Sequence, residues 1–113
     1  RLGNIETKAG RHGEAIQAYQ RALALDPEHL LSTYNLALAY RAAGRIDEAI
    51  VGLERTQQLD PRSGRAHFQL GDIYMQRGEP ARAVEVLTRG LALDVDRAPF
   101  LVKLGEAHLE LKQ

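Results

Sequence analysis

The chain has 113 residues, room for one domain of modest size, and its fifteen basic and fifteen acidic residues cancel, so no global field draws it to nucleic acid or an anionic membrane. Cysteine is absent, which excludes disulfides, thiol catalysis and thiolate metal sites but leaves the compartment open. The longest apolar runs fall far short of a membrane span, so no direct membrane insertion is expected. No signal-like segment opens the chain, which starts on Arg1 and is expected to be a piece of a longer protein.

In chain order, residues 1–29 carry Leu2, Gly10, Ala15, Arg21, Leu25, Asp26 and Pro27. The same residue types return 34 positions later in residues 30–63, as Leu36, Gly44, Ala49, Arg55, Leu59, Asp60 and Pro61. Residues 64–97 repeat them as Leu70, Gly78, Ala83, Arg89, Leu93 and Asp94, and Leu104 keeps the phase in residues 98–113. A unit this short cannot bury its own apolar face, so neighbouring copies must stack.

Each period is predicted to fold as two helices. In residues 30–63, Leu36, Ala37, Tyr40 and Ala43 share one helical stripe that Gly44 ends. Ala49, Ile50, Leu53 and Leu59 form a second stripe, which Pro61 stops because proline cannot continue a helix. The next copy repeats this with Leu70, Gly71 and Tyr74 before Gly78, then Ala83, Val84, Leu87 and Leu91 before Asp94, with Pro80 in a first turn that tolerates it. Gly10 stands where Gly44 and Gly78 stand, and the glycines of the repeat are expected at helix ends or close contacts. Ala37, Ala49, Gly71 and Ala83 lack bulk where two helices must approach closely.

Leu36, Ala37, Tyr40, Ala49 and Pro61, followed one period later by Leu70, Gly71, Tyr74 and Ala83, form a pattern that resembles the tetratricopeptide repeat (TPR). The resemblance covers essentially the whole chain. It implies an all-α fold, a right-handed superhelical solenoid of antiparallel helix pairs, and it is far more specific for fold than for function. On it, residues 1–29 are a repeat lacking its opening residues, 30–63 and 64–97 are complete repeats, and 98–113 are the first helix of a fourth or a capping helix. Glu6 departs from the pattern in a tyrosine slot, as do Thr56 and Gly90 in alanine slots and Val95 in place of the closing proline. The Val95 junction is expected to turn less sharply, with Asp96 capping the next helix and Pro99 in its first turn. That last helix, with Phe100, Leu101, Val102, Leu104, Leu109 and Leu111, is expected to expose an apolar stripe able to mediate self-association.

Catalysis finds little support. His12, His29, His67 and His108 have no spacing that sets two imidazoles on one helical face for a metal, and His67 and His108 occupy slots the family fills with aromatic packing residues. Glu14, Asp47 and Glu48 sit near the predicted starts of second helices, where acidic side chains favour the helix dipole. No glycine-rich phosphate loop is present. The chain is therefore read as a non-enzyme, with no cofactor and no metal.

Binding suits the architecture better, because in the resembling family the first helix of each pair lines the concave inner face. Carried over residue by residue, that face holds Asn4, Thr7 and Lys8, then Leu31, Tyr34, Asn35, Leu38 and Arg41. Arg65, Phe68, Gln69, Asp72 and Met75 follow, and Val102, Lys103 and Glu106 complete it. Amides pair with an extended backbone, arginines grip carboxylates and aromatics supply area, which together make a peptide-binding chemistry. Lys8, Arg41 and Arg65 have no predicted acidic neighbour, whereas Asp72 and Glu106 lie toward the other end, so an acidic peptide is expected at the N-terminal half. Some family members hold a partner's C-terminal carboxylate in a clamp of two asparagines and basic residues. Asn4, Asn35 and Arg65 fall in its slots, but one basic slot precedes Arg1 and another holds Gln69, which favours a groove for some other peptide.

The expected function is a protein-interaction scaffold that binds a short acidic segment of a partner protein. One alternative is a substrate-recruiting or regulatory arm of a larger enzyme such as a glycosyltransferase. Its ladder of inner asparagines would here read Arg1, Asn35, Gln69 and Lys103, with a single asparagine against it. Another is a purely architectural spacer, opposed by Tyr34, Leu38, Phe68 and Met75, although residues bordering helix interfaces are also apolar for packing alone. Nucleic acid is not an expected partner. The arginines are scattered, and the periodic Arg21, Arg55 and Arg89 read as outer-face residues whose stems lie over their neighbours.

Overall fold

The computed structural model describes the backbone of residues 2–93 and 97–112, and within those stretches the side chains from residue 11 onward. These residues form helices α1 (Leu2–Leu25), α2 (Leu30–Ala42), α3 (Ile46–Leu59), α4 (Gly64–Gln76), α5 (Pro80–Leu91) and α6 (Ala98–Leu111), with no strand among them. The starts of α2, α4 and α6 keep the 34-residue spacing of the sequence. The chain divides into two compact units, Arg1–Leu59 and Asp60–Gln113.

Local chemistry sets the helix ends. Gly44 and Gly78 follow α2 and α4 at φ of 82° and 73°, a left-handed conformation that costs a residue with a Cβ about 1–2 kcal/mol. There the Arg45 and Glu79 N–H groups reach back to the Tyr40 and Tyr74 carbonyls, satisfying acceptors that the helix leaves open. The His29 Nδ1 accepts from the Ser32 N–H at the start of α2, and the Ser63 hydroxyl accepts from the Ala66 N–H at the start of α4. Pro80 and Pro99 lie in the first turns of α5 and α6. The N-cap of α6 is Arg97, which makes no side-chain capping bond. The capping expected of Asp96 and the turn expected at Val95 lie outside the described residues.

Gly10 does not end a helix. α1 runs unbroken from Leu2 to Leu25, which also places Glu14 in mid-helix instead of near a helix start. The reason lies in the turn that follows. α3 opens with Asp47 and Glu48 in its first turn and α5 with Pro80, whereas Arg11, His12 and Gly13 offer neither proline nor a capping side chain to fix a new helix start.

In the first unit α2 packs on both α1 and α3. The core holds Ile16, Ala37, Ala49 and Leu53, together with Thr56, whose hydroxyl donates to the Gly52 carbonyl at 2.9 Å. That bond lets a hydroxyl occupy a buried alanine slot without an unpaired polar atom. α2 and α3 come closest at Ala37 and Gly52, where a Cβ on the glycine would lie 2.7 Å from the alanine Cβ. In the second unit α5 packs on α4 and α6, and α4 touches α6. Leu70, Ala83, Leu87, Phe100, Leu104 and Ala107 are buried there. Gly71 lies against the Leu87 side chain. Gly90 replaces the usual alanine because the Phe100 ring occupies the space of its missing Cβ, and that ring meets Phe68 edge-on at 5.7 Å.

The two complete repeats tie their turns with the same ion pair in opposite sense. Arg45 donates to both Glu48 carboxylate oxygens at 2.6 Å, whereas at equivalent positions Glu79 faces Arg82 at 3.4 Å. In each case the arginine stacks on the repeat's tyrosine, Arg45 on Tyr40 at 4.7 Å and Arg82 on Tyr74 at 5.7 Å.

Candidate peptide-binding faces

On α2 the spacing of Leu31, Tyr34, Asn35, Leu38 and Arg41 sets all five on one side of the helix. Leu31 is 58% exposed, and the other four are half-buried. Asn35 makes no hydrogen bond through its amide, and Tyr34 none through its hydroxyl, among the described residues. Arg41 is already engaged within the chain and is not the free cation that the sequence suggested. The predicted contributions of Asn4, Thr7 and Lys8 lie outside the described side chains.

In the second unit α4 presents Arg65, Phe68, Gln69, Asp72 and Met75, and α6 presents Val102, Lys103 and Glu106. Arg65 is exposed and makes no ion pair or hydrogen bond among the described residues. Half-buried Phe68 spends one edge on Phe100, so it serves packing as well as surface. The Lys103 Nζ lies 2.9 Å from Asp72 Oδ1 and 3.4 Å from Glu106 Oε2, joining α6 to α4. The hydrogen bond to Asp72, opposed by partial burial, holds the Lys103 ammonium above the usual lysine range. The Asp72 carboxylate, read from sequence as a source of repulsion for an acidic ligand, is therefore offset by a cation beside it.

The remaining sequence expectations divide. His67 is buried with Nδ1 2.7 Å from the Ser63 carbonyl oxygen, consistent with packing, whereas His108 is exposed and does not fill the packing role its slot suggested. Arg21, Arg55 and Arg89 are exposed, and Arg89 pairs with Glu85. On α6, Leu101, Val102, Leu109 and Leu111 are exposed while Phe100 and Leu104 turn inward, so the apolar stripe is narrower than the sequence implied. Among the described residues, no three His, Cys, Asp or Glu side chains gather to hold a metal ion, and no helix is long and apolar enough to cross a membrane.

Sequence reasoning missed a second surface. The first unit has a cleft of about 500 Å³ lined by Leu23, Pro27, Thr33, Leu36, Tyr40, Val51 and Gly52, with Asp47, Glu48 and Arg55 on its rim. Leu36 and Tyr40, expected as stacking residues, are only half-buried and form part of its floor. The available signal was Val51, an apolar residue beside the second stripe with no apolar counterpart one period later at Glu85.

Two family profiles described as tetratricopeptide repeat match residues 1–63 and 42–101. A comparison with curated protein sequences finds no match. Among solved structures, MamA is 28% identical with a TM-score of 0.82, the alignment covering 99% of this chain and 66% of that one. The chain thus spans just under two thirds of MamA. The Yersinia enterocolitica type III secretion chaperone SycD, in complex with a peptide of the translocator YopD, is 22% identical with a TM-score of 0.73, covering 98% and 85% of the two chains. The first TPR of Spaghetti (RPAP3), bound to the HSP90 peptide SRMEEVD, is 21% identical with a TM-score of 0.83, covering 99% and 89%. With its 34-residue phase realised as paired helices and more than half its length matched by one profile, this all-α chain belongs to the tetratricopeptide repeat family of helical solenoids.

Proposed function

We propose that this chain is a non-enzymatic protein-interaction scaffold that binds a short acidic segment of a partner, Asn35 being suited on the first unit to pair a peptide backbone and Arg65 on the second unit to grip a carboxylate. The observation that carries this reading is that both side chains keep accessible polar heads with no partner among the described residues. Each stands beside apolar area, Leu31, Tyr34 and Leu38 on α2 and Phe68 on α4. A residue kept only for stacking is buried or paired. A free amide or guanidinium on a rigid helix is instead pre-organised for a ligand, which lowers the entropy cost of binding. The fold accommodates peptides, since the SycD and Spaghetti structures each hold one, and the Spaghetti peptide has three acidic residues against one arginine.

The test is a peptide-library screen against the purified chain. Acidic sequences should be enriched, added salt should weaken their binding, and Arg65→Ala should weaken it about tenfold, the value of one charge-assisted hydrogen bond. Enrichment of neutral or basic sequences, or indifference to Arg65→Ala, would overturn the acidic-ligand reading. The exposed Leu101, Val102 and Leu109 on α6 favour self-association as a second property. Sedimentation of the chain should then depend on concentration, and Leu101→Ser with Leu109→Ser should abolish that dependence.

A further inference from the structure

α6 begins 34 residues after α4, as α4 does after α2, so residues of equal phase on the three helices can be compared. Ala37 of α2 is buried where it meets Gly52 of α3, and Thr33, one turn earlier on the same side, is buried as well. The same phase on α4 falls on Gly71, buried under the Leu87 side chain of α5, and on buried His67. In both repeats the helix that closes over this side runs back antiparallel after a short turn, at residues 43–45 and 77–79. On α6 the phase falls on Gly105 and Leu101. Both are exposed, and a Cβ on Gly105 would meet nothing within 4 Å. The side of a first helix that this fold twice covers with an antiparallel helix is therefore open on α6 among the described residues.

That side is apolar and nearly symmetric about its centre. Leu101 and Leu109 lie about 40° to either side of Gly105, one turn before it and one turn after, and Val102 lies about 60° from it. These three side chains are 54–63% exposed. The charges of α6 lie elsewhere: Lys103 is turned to Asp72 on α4, Glu106 stands beside Lys103, and exposed His108 borders the stripe. Only Lys112, exposed at the C-cap, comes back to within about 20° of Gly105. No other described helix carries more than two exposed large apolar side chains, whereas α6 carries four, so the face of matching size that a second copy offers is α6 itself.

We propose that two copies of the chain pair through α6, antiparallel and crossing at Gly105, so that Leu101 of each copy meets Leu109 of the other. The inference rests on the self-association read from these leucines and names the face, the direction and the contact it uses. Glycine at the crossing lets the two backbones approach closely, as Gly52 and Ala37 do where α3 meets α2. Equal spacing of the leucines about that glycine makes the face self-complementary, which an isologous contact requires. Lys112 decides the direction. A parallel pair sets two ammonium groups against each other and aligns the helix dipoles, whereas an antiparallel pair sets each Lys112 beside Ala98 of the other copy and opposes the dipoles. α6 is about 21 Å long. The pair therefore buries less than a standard interface, and its dissociation constant is expected in the micromolar range or above.

Sedimentation equilibrium of the whole chain over a concentration series should show monomer and dimer and no larger species. Gly105→Glu should weaken the dimer about tenfold or more, because it sets like charges face to face at the crossing. Glu110→Gln, on the other side of α6, should leave it unchanged. Circular dichroism should show Gly105→Glu as helical as the unmodified chain, since glutamate is the better helix former and the position is open. Direction is read by cross-linking. The chain has no cysteine, so Leu101→Cys and Leu109→Cys chains each carry a single thiol. Oxidised as a mixture, they should give the mixed disulfide well above its statistical share. A chain that stays monomeric at every concentration overturns the self-association reading and this inference with it. A dimer that survives Gly105→Glu, an excess of self-cross-links over mixed ones, or growth beyond the dimer overturns the antiparallel pairing alone and leaves self-association standing.

Discussion

Replacing Gly52 with alanine sets helix propensity directly against helix packing. The added methyl would stand 2.7 Å from the Ala37 Cβ and 3.2 Å from its Cα, where non-bonded carbons settle at about 3.5–4.0 Å. Neither atom can rotate aside, because one is backbone and the other is fixed to it. α2 and α3 must therefore part by roughly 1 Å, a strain in the range of about 1–3 kcal/mol for overpacking a core. Alanine returns about 1 kcal/mol through its higher helix propensity. The net is a loss of up to about 2 kcal/mol. Gly13→Ala isolates the propensity term: its Cβ would meet nothing within 4 Å in mid-α1, so stability should rise by up to about 1 kcal/mol. The difference between the two variants reports the strain alone. At about 4 °C per kcal/mol or slightly more for a chain of this size, thermal unfolding followed by circular dichroism resolves it. A Gly52→Ala protein that melts together with Gly13→Ala, above the unmodified chain, would refute the close approach of α2 and α3.

Gly44→Ala and Gly78→Ala should each cost about 1–2 kcal/mol in urea denaturation. Nothing crowds either position, so the loss comes from the left-handed backbone alone. Asp72→Asn should bring the Lys103 titration back toward the ordinary lysine range in an NMR pH series, because the Asp72 hydrogen bond is the largest cause of its elevation. The sign follows from linkage. A lysine raised above its unfolded value of about 10.4 contributes stability that is fully present below that pH and disappears as pH rises through the folded value. The unmodified chain should therefore lose stability relative to Asp72→Asn only in strongly alkaline solution. A loss of the same size at neutral pH in both proteins would show that the pair is not the source.

Fold was legible wherever spacing alone determined it. Gly44 and Gly78 announced left-handed helix ends, and Ala37 and Gly71 announced close approaches, because only small residues meet those steric demands. Gly10 shared the phase and failed, since a glycine permits a helix to end without compelling it to. The residues after it supply no new start. Gly90 looked like a lapse in the pattern until Phe100 was seen to fill its place, a long-range partner that no local spacing reveals. The site was less legible for the same reason. Which helix face a residue occupies follows from periodicity, but whether its charge is already spent depends on distant partners. Asp72 is taken by Lys103, Arg41 is engaged, and Arg65 is left over.

That distinction explains why a repeat so specific for fold is so permissive for function. On α2, Ala37 is constrained on one side by Gly52, and any enlargement there pushes two backbones apart. Asn35 and Leu38 touch no such limit, and neither does exposed Val51 in the lining of the cleft. Substitutions at these positions change the surface offered to a partner while leaving the stack intact. They should therefore separate binding from stability: Asn35→Ala and Val51→Arg should each leave the melting temperature almost unmoved, while Asn35→Ala weakens peptide binding. Gly52→Ala should lower the melting temperature and weaken peptide binding together, because it displaces the helix that carries Asn35. A Val51→Arg protein that loses as much stability as Gly52→Ala would mean that the cleft at Val51 belongs to the core and is no free surface.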